Sequence, residues 1–373
     1  MLSRRRFLQS ASMTLAATAA AEAQTRPDAQ ALAAMKAMAS AFMSAHGIPG
    51  MSVAVAQQGE LVYEQGFGLA GGGPEETVSP ANLFRIASVS KPITSAAVFQ
   101  LIEQGKLALD DRLFGADGIL GYDFGKPPYP RYVEEIRLKH FLTHTAGGWQ
   151  NDGADPMFRN TGMNQHELIA WTLQHAPLQN PPGAHYAYSN FGYCVVGRVI
   201  EKVTGEQYEA HVREAVLRPC GIEGMRIAGD TLAERAPGEV LYHGAGGQNP
   251  YNMKVRRMDS HGGWLGTAAD LARFASRVDG LSRERDILRL ETIREMTTAT
   301  SANAAYAKGW AVNRVPNWWH TGSLPGTTSI MVRTASGFCW AALGNSREAN
   351  GDTGGAMDRM MWDLVRQVRG WKA

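Results

Sequence analysis

The chain has 373 residues and a formal net charge of +2. Its basic residues are scattered, which on charge grounds excludes nucleic acid as a partner. With 44% hydrophobic residues it can bury a sizeable core, in one large domain or two lobes, and it is not a disordered chain. Three cysteines, Cys194, Cys220 and Cys339, are too few and too irregularly spaced for a disulfide framework or a zinc site, and each reads as a buried free thiol. What remains is a small-molecule or short-peptide ligand, with no metal and no cofactor expected.

Residues 1–23 read as an export signal. Ser3-Arg4-Arg5-Arg6-Phe7-Leu8 precedes a mildly apolar stretch from Ala11 to Ala21, and Ala21-Glu22-Ala23 is a small-x-small cleavage site. The paired arginines point to the twin-arginine route, which carries folded proteins. The apolar stretch is too short and too alanine-rich to span a bilayer, and no other segment approaches 18 apolar residues. The mature chain is therefore expected to start near Gln24, to be periplasmic or secreted, and to keep no stable membrane span after signal removal.

Residues 28–46 carry apolar positions at helical spacing, stopped by Gly47 and Pro49. Residues 51–56 and 61–67 are strand-like runs joined by Gln57-Gln58-Gly59-Glu60, a hairpin. A Gly/Pro-rich link over 71–80 leads to the stretch 84–94, where a helix is expected to begin. From 106 to about 263 the pattern turns to helices and loops: a short helix within 136–144, then 164–176, 190–203, 206–216 and, just beyond, 267–278. Strand-like runs return at 309–315, 318–322, 328–333 and 337–344, followed by an amphipathic helix over 355–369. The fold class is α/β of the α+β type, with one antiparallel sheet assembled from both ends of the chain. The α/β lobe comprises about 24–105 and 264–373, and a mostly helical lobe, about 106–263, is inserted between its halves.

The chemistry centres on Phe84-Arg85-Ile86-Ala87-Ser88-Val89-Ser90-Lys91. On a helix, positions i and i+3 share a face, so Ser88 and Lys91 point into one space while Ser90 points elsewhere. A lysine at the start of a buried helix is costly unless it has a task or a partner. Farther on, Tyr188-Ser189-Asn190 follows Pro181-Pro182-Gly183, so a loop presents a phenol and a carboxamide just before a helix. His320-Thr321-Gly322 falls on a strand, where Gly322 lets a substrate backbone approach. Singly, Tyr188 reads as a core tyrosine, Asn190 as a helix cap and His320 as a strand residue. Their joint occurrence at this spacing is the signal.

With these motifs the sequence resembles the penicillin-recognising serine hydrolases, in the class C β-lactamase and DD-peptidase branch with its related esterases. The resemblance runs from about residue 31 to 369 and includes Lys106-Leu107-Ala108-Leu109-Asp110-Asp111, Leu138-Lys139-His140-Phe141-Leu142-Thr143-His144-Thr145 and Gly262-Gly263-Trp264-Leu265-Gly266-Thr267. It implies a β-lactamase/transpeptidase-like fold and a serine hydrolase. Ser88 would be the nucleophile, Lys91 its partner and Tyr188 the base relaying a proton to the leaving group. The oxyanion hole would be the backbone N–H groups of Ser88 and Ser323, with Asn190 holding the substrate's amide side chain. A buried ammonium beside the phenol is expected to ease phenolate formation. Whether Lys91 or Tyr188 takes the serine proton stays open.

His320 departs from the lysine of many β-lactamases. With an ordinary pKa of about 6.5 it is expected to give a substrate carboxylate only part-time charge. That shifts weight toward D-alanyl-peptide carboxypeptidase, D-peptidase or small-ester esterase activity, with a weak β-lactamase or a non-turning-over penicillin sensor as alternatives. No glutamate stands in an obvious place to activate a deacylating water. His144 is read as structural, its imidazole bonding free carbonyls at a helix end. Of Trp318 and Trp319, alternation puts one in the core and leaves the other free to wall a cleft. Asp270 is read as a helix cap.

Overall fold

A computed structural model describes residues 26–71, 76–281 and 285–371; the expected signal lies outside them. Helix α1 (Ala29–His46) starts where the Asp28 side chain accepts the Ala31 N–H. Strands β1 (Gly50–Gln57) and β2 (Glu60–Gly68) form the expected hairpin. Gln58 and Gly59 at its tip both have positive φ, the backbone geometry whose twist matches that of paired strands. Next come β3 (Phe84–Arg85) and α2 (Ser90–Glu103). The middle of the chain supplies α3 (Leu138–Leu142), α4 (Pro156–Arg159), α5 (Gln165–His175), α6 (Asn190–Thr204), α7 (Tyr208–Val212), β4 (Arg226–Ile227), α8 (Asp259–Gly262) and β5 (Trp264–Gly266). The last third contains α9 (Ala268–Ser276), α10 (Leu290–Thr297), β6 (Ala311–Val312), β7 (Trp318–Leu324), β8 (Thr327–Arg333), β9 (Phe338–Gly344) and α11 (Thr353–Val365).

The main sheet is antiparallel in the order β2-β1-β9-β8-β7-β6, so strands from the two ends of the chain meet at β1 and β9. Its central strands are buried on both faces, and alternation divides their side chains between two cores. Met51, Val53, Val55, Ile330, Val332 and Trp340 pack under α1 and α11 with Met35, Phe42, Met357 and Leu364. Ala54, Met331, Ala341 and Leu343 face the opposite core, which holds Leu271 and Phe274 of α9 and the apolar side chains of α2 and α6. Each fully buried Leu or Phe there contributes about 1.5–3 kcal/mol of transfer free energy. Helix α9 is started by a reciprocal cap in which Thr267 and Asp270 satisfy each other's backbone N–H, as read for Asp270.

Three features differ from expectation. A small sheet, β3-β5-β4, braces the segment before α2. The run 309–315 pairs only at Ala311–Val312, and α10 was not anticipated. Strands of two or three residues and an eight-residue helix are too short to show a period. The three cysteines are buried free thiols. Among the described residues, no helix is long and apolar enough to cross a membrane.

Candidate active site

Strand β3 delivers the chain to a single 3-10 turn, Ala87–Val89, which runs into α2. Ser88 therefore stands on the turn ahead of the helix, with Lys91 in the first helical turn. Ala87 carries φ +48°, an uncommon conformation for a residue with a β-carbon. The surroundings hold it there: the Ser90 hydroxyl donates to the Ala87 carbonyl at 2.7 Å and the Ser329 hydroxyl donates to the Ile86 carbonyl at 2.7 Å. Strand β7 lies directly against this turn. A β-carbon on Gly322 would overlap the Ile86 carbonyl oxygen and the Ser329 hydroxyl and come within 3.0 Å of the Ala87 β-carbon. Gly322 thus makes room for the turn that presents Ser88, whereas the sequence had suggested room for a substrate backbone.

Ser88 is half-buried and Lys91 is fully buried. Lys91 Nζ lies 3.0 Å from Ser88 Oγ, 2.8 Å from Asn190 Oδ1 and 2.9 Å from the His261 carbonyl oxygen. Asn190 is the first residue of α6, but the cap is Ser189, whose hydroxyl accepts the Gly192 N–H. The Asn190 carboxamide is therefore released into the site. Its Nδ2 donates to Asp155 Oδ2 at 3.0 Å, while Asp155 Oδ1 caps α4 by accepting the Met157 N–H at 2.9 Å. Asp155 is a member that sequence reasoning missed. It lies in an irregular segment, and its local signal, an acidic residue before Pro156, is the ordinary signature of a helix start.

Burial pushes Lys91 well below the usual lysine range, and the Asp155 charge opposes it only in part. Burial likewise lifts Asp155 to about 6, against the hydrogen bonds from Asn190 and Met157 and the charge of Lys91. The interior moves both groups toward their neutral forms. Lys91 Nζ sits 4.8 Å from the ring centre of Tyr188 and 5.7 Å from that of Tyr193. Desolvation drives the Tyr188 phenol well above its ordinary value, against a hydrogen bond with Ser88. The expected easing of phenolate formation beside an ammonium is therefore outweighed by burial.

Behind Tyr188 stands an aromatic wall in which His144 touches Tyr186, Tyr188, Tyr193 and Tyr306. The partners of the His144 ring are not the helix-end carbonyls expected from the sequence. Its Nδ1 accepts the Ser189 N–H at 3.1 Å, so its proton is on Nε2, which meets the Tyr306 hydroxyl at 3.1 Å. The same hydroxyl lies 3.1 Å from His320 Nε2, and His320 Nδ1 donates to the Thr321 carbonyl. Donors and acceptors then run one way, from His144 through Tyr306 to His320. Burial, with Lys91 nearby, holds His320 down at about 3. The expectation of a half-charged imidazole near neutral pH does not survive that environment: the ring is 5% exposed and both nitrogens are engaged. Ser323, on β7 opposite Thr328, is exposed. Trp318 is buried beneath the Arg333 guanidinium, which sits 3.8 Å from its ring centre, and Trp319 packs toward the α1/α11 core, so neither walls the cleft. Among the described residues, no group of three or more His, Cys, Asp or Glu is placed to hold a metal.

A hydroxyl on a strained turn, a buried amine on it and an antiparallel sheet closed by both chain ends define a serine hydrolase of the β-lactamase/transpeptidase-like fold. The family model described as Beta-lactamase matches residues 35–360, and the chain belongs to that family. It is 28% identical over 353 residues to penicillin-binding protein 4 of Amycolatopsis lactamdurans, covering 88% of this chain and 87% of that protein. It is 31% identical over 250 residues to esterase EstB of Burkholderia gladioli, covering 61% of this chain and 58% of the esterase. Among solved structures, it superposes on the D-amino acid amidase of Ochrobactrum anthropi SV3 complexed with L-phenylalanine amide with a TM-score of 0.73 at 20% identity, covering 90% of this chain and 98% of that one.

Proposed function

We propose that the chain is an exported serine hydrolase that opens amide or ester bonds through an acyl-enzyme on Ser88, acting on small esters and on D-alanyl or other D-amino-acid amides. The observation that carries this is the ring of acceptors around Lys91 Nζ. As a neutral amine it has two N–H bonds, which the Asn190 and His261 carbonyl oxygens accept, and its lone pair is left for the Ser88 hydroxyl.

In this reading Ser88 Oγ bonds to the substrate carbonyl carbon as its proton passes to Lys91. Backbone N–H groups of Ser88 and Ser323 receive the oxyanion. Tyr188, kept as a phenol, gives its proton to the departing oxygen or nitrogen and recovers one from Lys91. Water then reverses the sequence and frees the acid. Asn190 faces Lys91 and Asp155, so its service to a substrate amide is secondary. A neutral His320 offers a substrate carboxylate no charge, which favours esters and amides over free-carboxylate peptides and β-lactams. The names borne by the relatives, a penicillin-binding protein and an esterase, accord with this range. Export rests on the paired arginines and the small-x-small site of residues 1–23.

The test is a hydrolysis screen of p-nitrophenyl esters, D-amino-acid amides, D-Ala-D-Ala peptides and nitrocefin with the wild type and Ser88→Ala. Turnover of neutral esters or amides that vanishes in the variant is expected. Stoichiometric acylation with no turnover on any substrate would make the chain a sensor and overturn the reading.

A further inference from the structure

We infer that Asp155 is a positioning residue for the hydrolysis: it fixes which end of the Asn190 carboxamide faces Lys91, and so aims the amine's lone pair at Ser88. This rests on the reading of Lys91 as the group that takes the serine proton.

The argument is one of donors and acceptors. A carboxylate only accepts, so with Asp155 Oδ2 at 3.0 Å the Asn190 group pointing at it is the NH2. The carboxamide oxygen must then point at Lys91, where it lies 2.8 Å from Nζ. The His261 carbonyl, also acceptor-only, takes the second amine hydrogen at 2.9 Å. Only the direction of Ser88, 3.0 Å away, is left for the lone pair. Were Asn190 turned over, its NH2 would face Lys91 and capture that lone pair, and Ser88 would lose its base. The other group that bonds the Asn190 side chain among the described residues is the Lys91 amine, which is no one-way acceptor. Asp155 is itself fixed, 1% exposed, with its other oxygen holding the Met157 N–H at the start of α4.

The sharpest test is Asp155→Asn, because the helix cap dictates what the new amide does. The Met157 N–H still requires an oxygen, so the new NH2 is forced toward Asn190, which must turn its oxygen to meet it and offer its own NH2 to Lys91. Shape and cap are retained while the polarity of the chain reverses. The expected result is a loss of about a hundredfold in kcat/KM, carried by kcat and by a slower acylation burst, with KM within about twofold. Adding Asn190→Ala to Asp155→Asn should cause no further loss, although Asn190→Ala alone lowers the wild-type rate.

A residue that merely supports the fold would not give that epistasis, nor would it move the pH profile. Among the described residues, Lys91 is faced by the Tyr188 and Tyr193 rings, by the imidazoles of His144, His261 and His320, and by the Asp155 carboxylate as its one anionic neighbour of influence. Removing that anion makes the ammonium harder to form, so the acid limb of kcat/KM should shift to lower pH in Asp155→Asn. Asp155→Ser, which keeps a helix cap but does not reach Asn190, leaves the carboxamide unheld and should fall between wild type and Asp155→Asn. Unfolding midpoints of each variant are measured alongside, and Asp155→Ser stands as the test if Asp155→Asn is not folded. A folded Asp155→Asn within threefold of wild-type kcat/KM, with Lys91→Ala inactive, overturns the positioning role and leaves the hydrolase reading intact. An active Lys91→Ala overturns both.

Discussion

His320 gives its Nδ1 proton to the carbonyl of its own neighbour, Thr321, 2.6 Å away. That bond fixes the tautomer and leaves Nε2 as an acceptor for Tyr306. With the ring held at about 3, no part of the physiological pH range gives it charge.

The first prediction follows from that neutrality. The ratio of kcat/KM for a carboxylate-bearing peptide to that for a matched neutral amide should stay level between about pH 8 and pH 5, because the ring's charge does not change in that window. Paired pH profiles of the two substrates check it. A ratio that climbs as pH falls from 8 to 6 would show an imidazolium meeting the carboxylate.

The second concerns stability. In the unfolded chain His320 titrates near 6.5, while the folded pKa is depressed to about 3, so below about pH 6.5 the unfolded state binds a proton that the native state refuses. The stabilisation is fully present above 6.5 and lost progressively as pH falls toward 3. At pH 5 the wild type should have lost about 2 kcal/mol that a His320→Gln variant does not lose. Urea unfolding of both proteins at pH 7.5 and pH 5 measures the difference, and equal losses would place His320 in water.

Tyr188→Phe should lower kcat by about a hundredfold or more on alkyl esters and amides and by much less on p-nitrophenyl esters. Burial keeps the phenol protonated, so it serves by donating, and a nitrophenolate leaves without a donated proton. Equal losses on good and poor leaving groups would remove Tyr188 from the leaving-group step.

Gly322→Ala should cost about 1–3 kcal/mol of stability, because the new methyl meets the backbone of the nucleophile's turn, which cannot swing aside like a side chain. Activity should fall by more than the folded fraction does, since relief requires moving Ile86 and Ala87 and with them Ser88. An alanine variant with unchanged melting temperature and rate would show that β7 and the turn are not tightly packed.

Much of this molecule was legible from spacing alone. The 51–67 hairpin, the helices near 28–46 and 190–203 and the late strands each have a period long enough to count, and Ser88 with Lys91 is a local motif. Asp155 and Tyr306 were not legible. Each stands in an irregular segment, and each reaches the site through partners far away in sequence: Asp155 through Asn190, Tyr306 through His144 and His320. Residue spacing also carries no information about dielectric, so a histidine on a strand was assigned its solution pKa when desolvation decides the matter. Trp319 shows the same limit: alternation put Trp318 and Trp319 on opposite faces but did not say that Trp319 would pack toward the α1/α11 core.

The pairing of Met51 with Gly344 joins a strand made early to one made late. A ribosome releases β1 early and β9 near the end, so one flank of β1 waits unpaired while almost the whole chain is made. The central seam of the sheet is thus a long-range closure, slow by nature and all-or-none in effect. A chain halted before Phe338 has no stable half to fall back on, since β1 and β8 would each lack the strand that joins them. Such a protein is finished only as a whole, because neither end of the chain completes the sheet without the other.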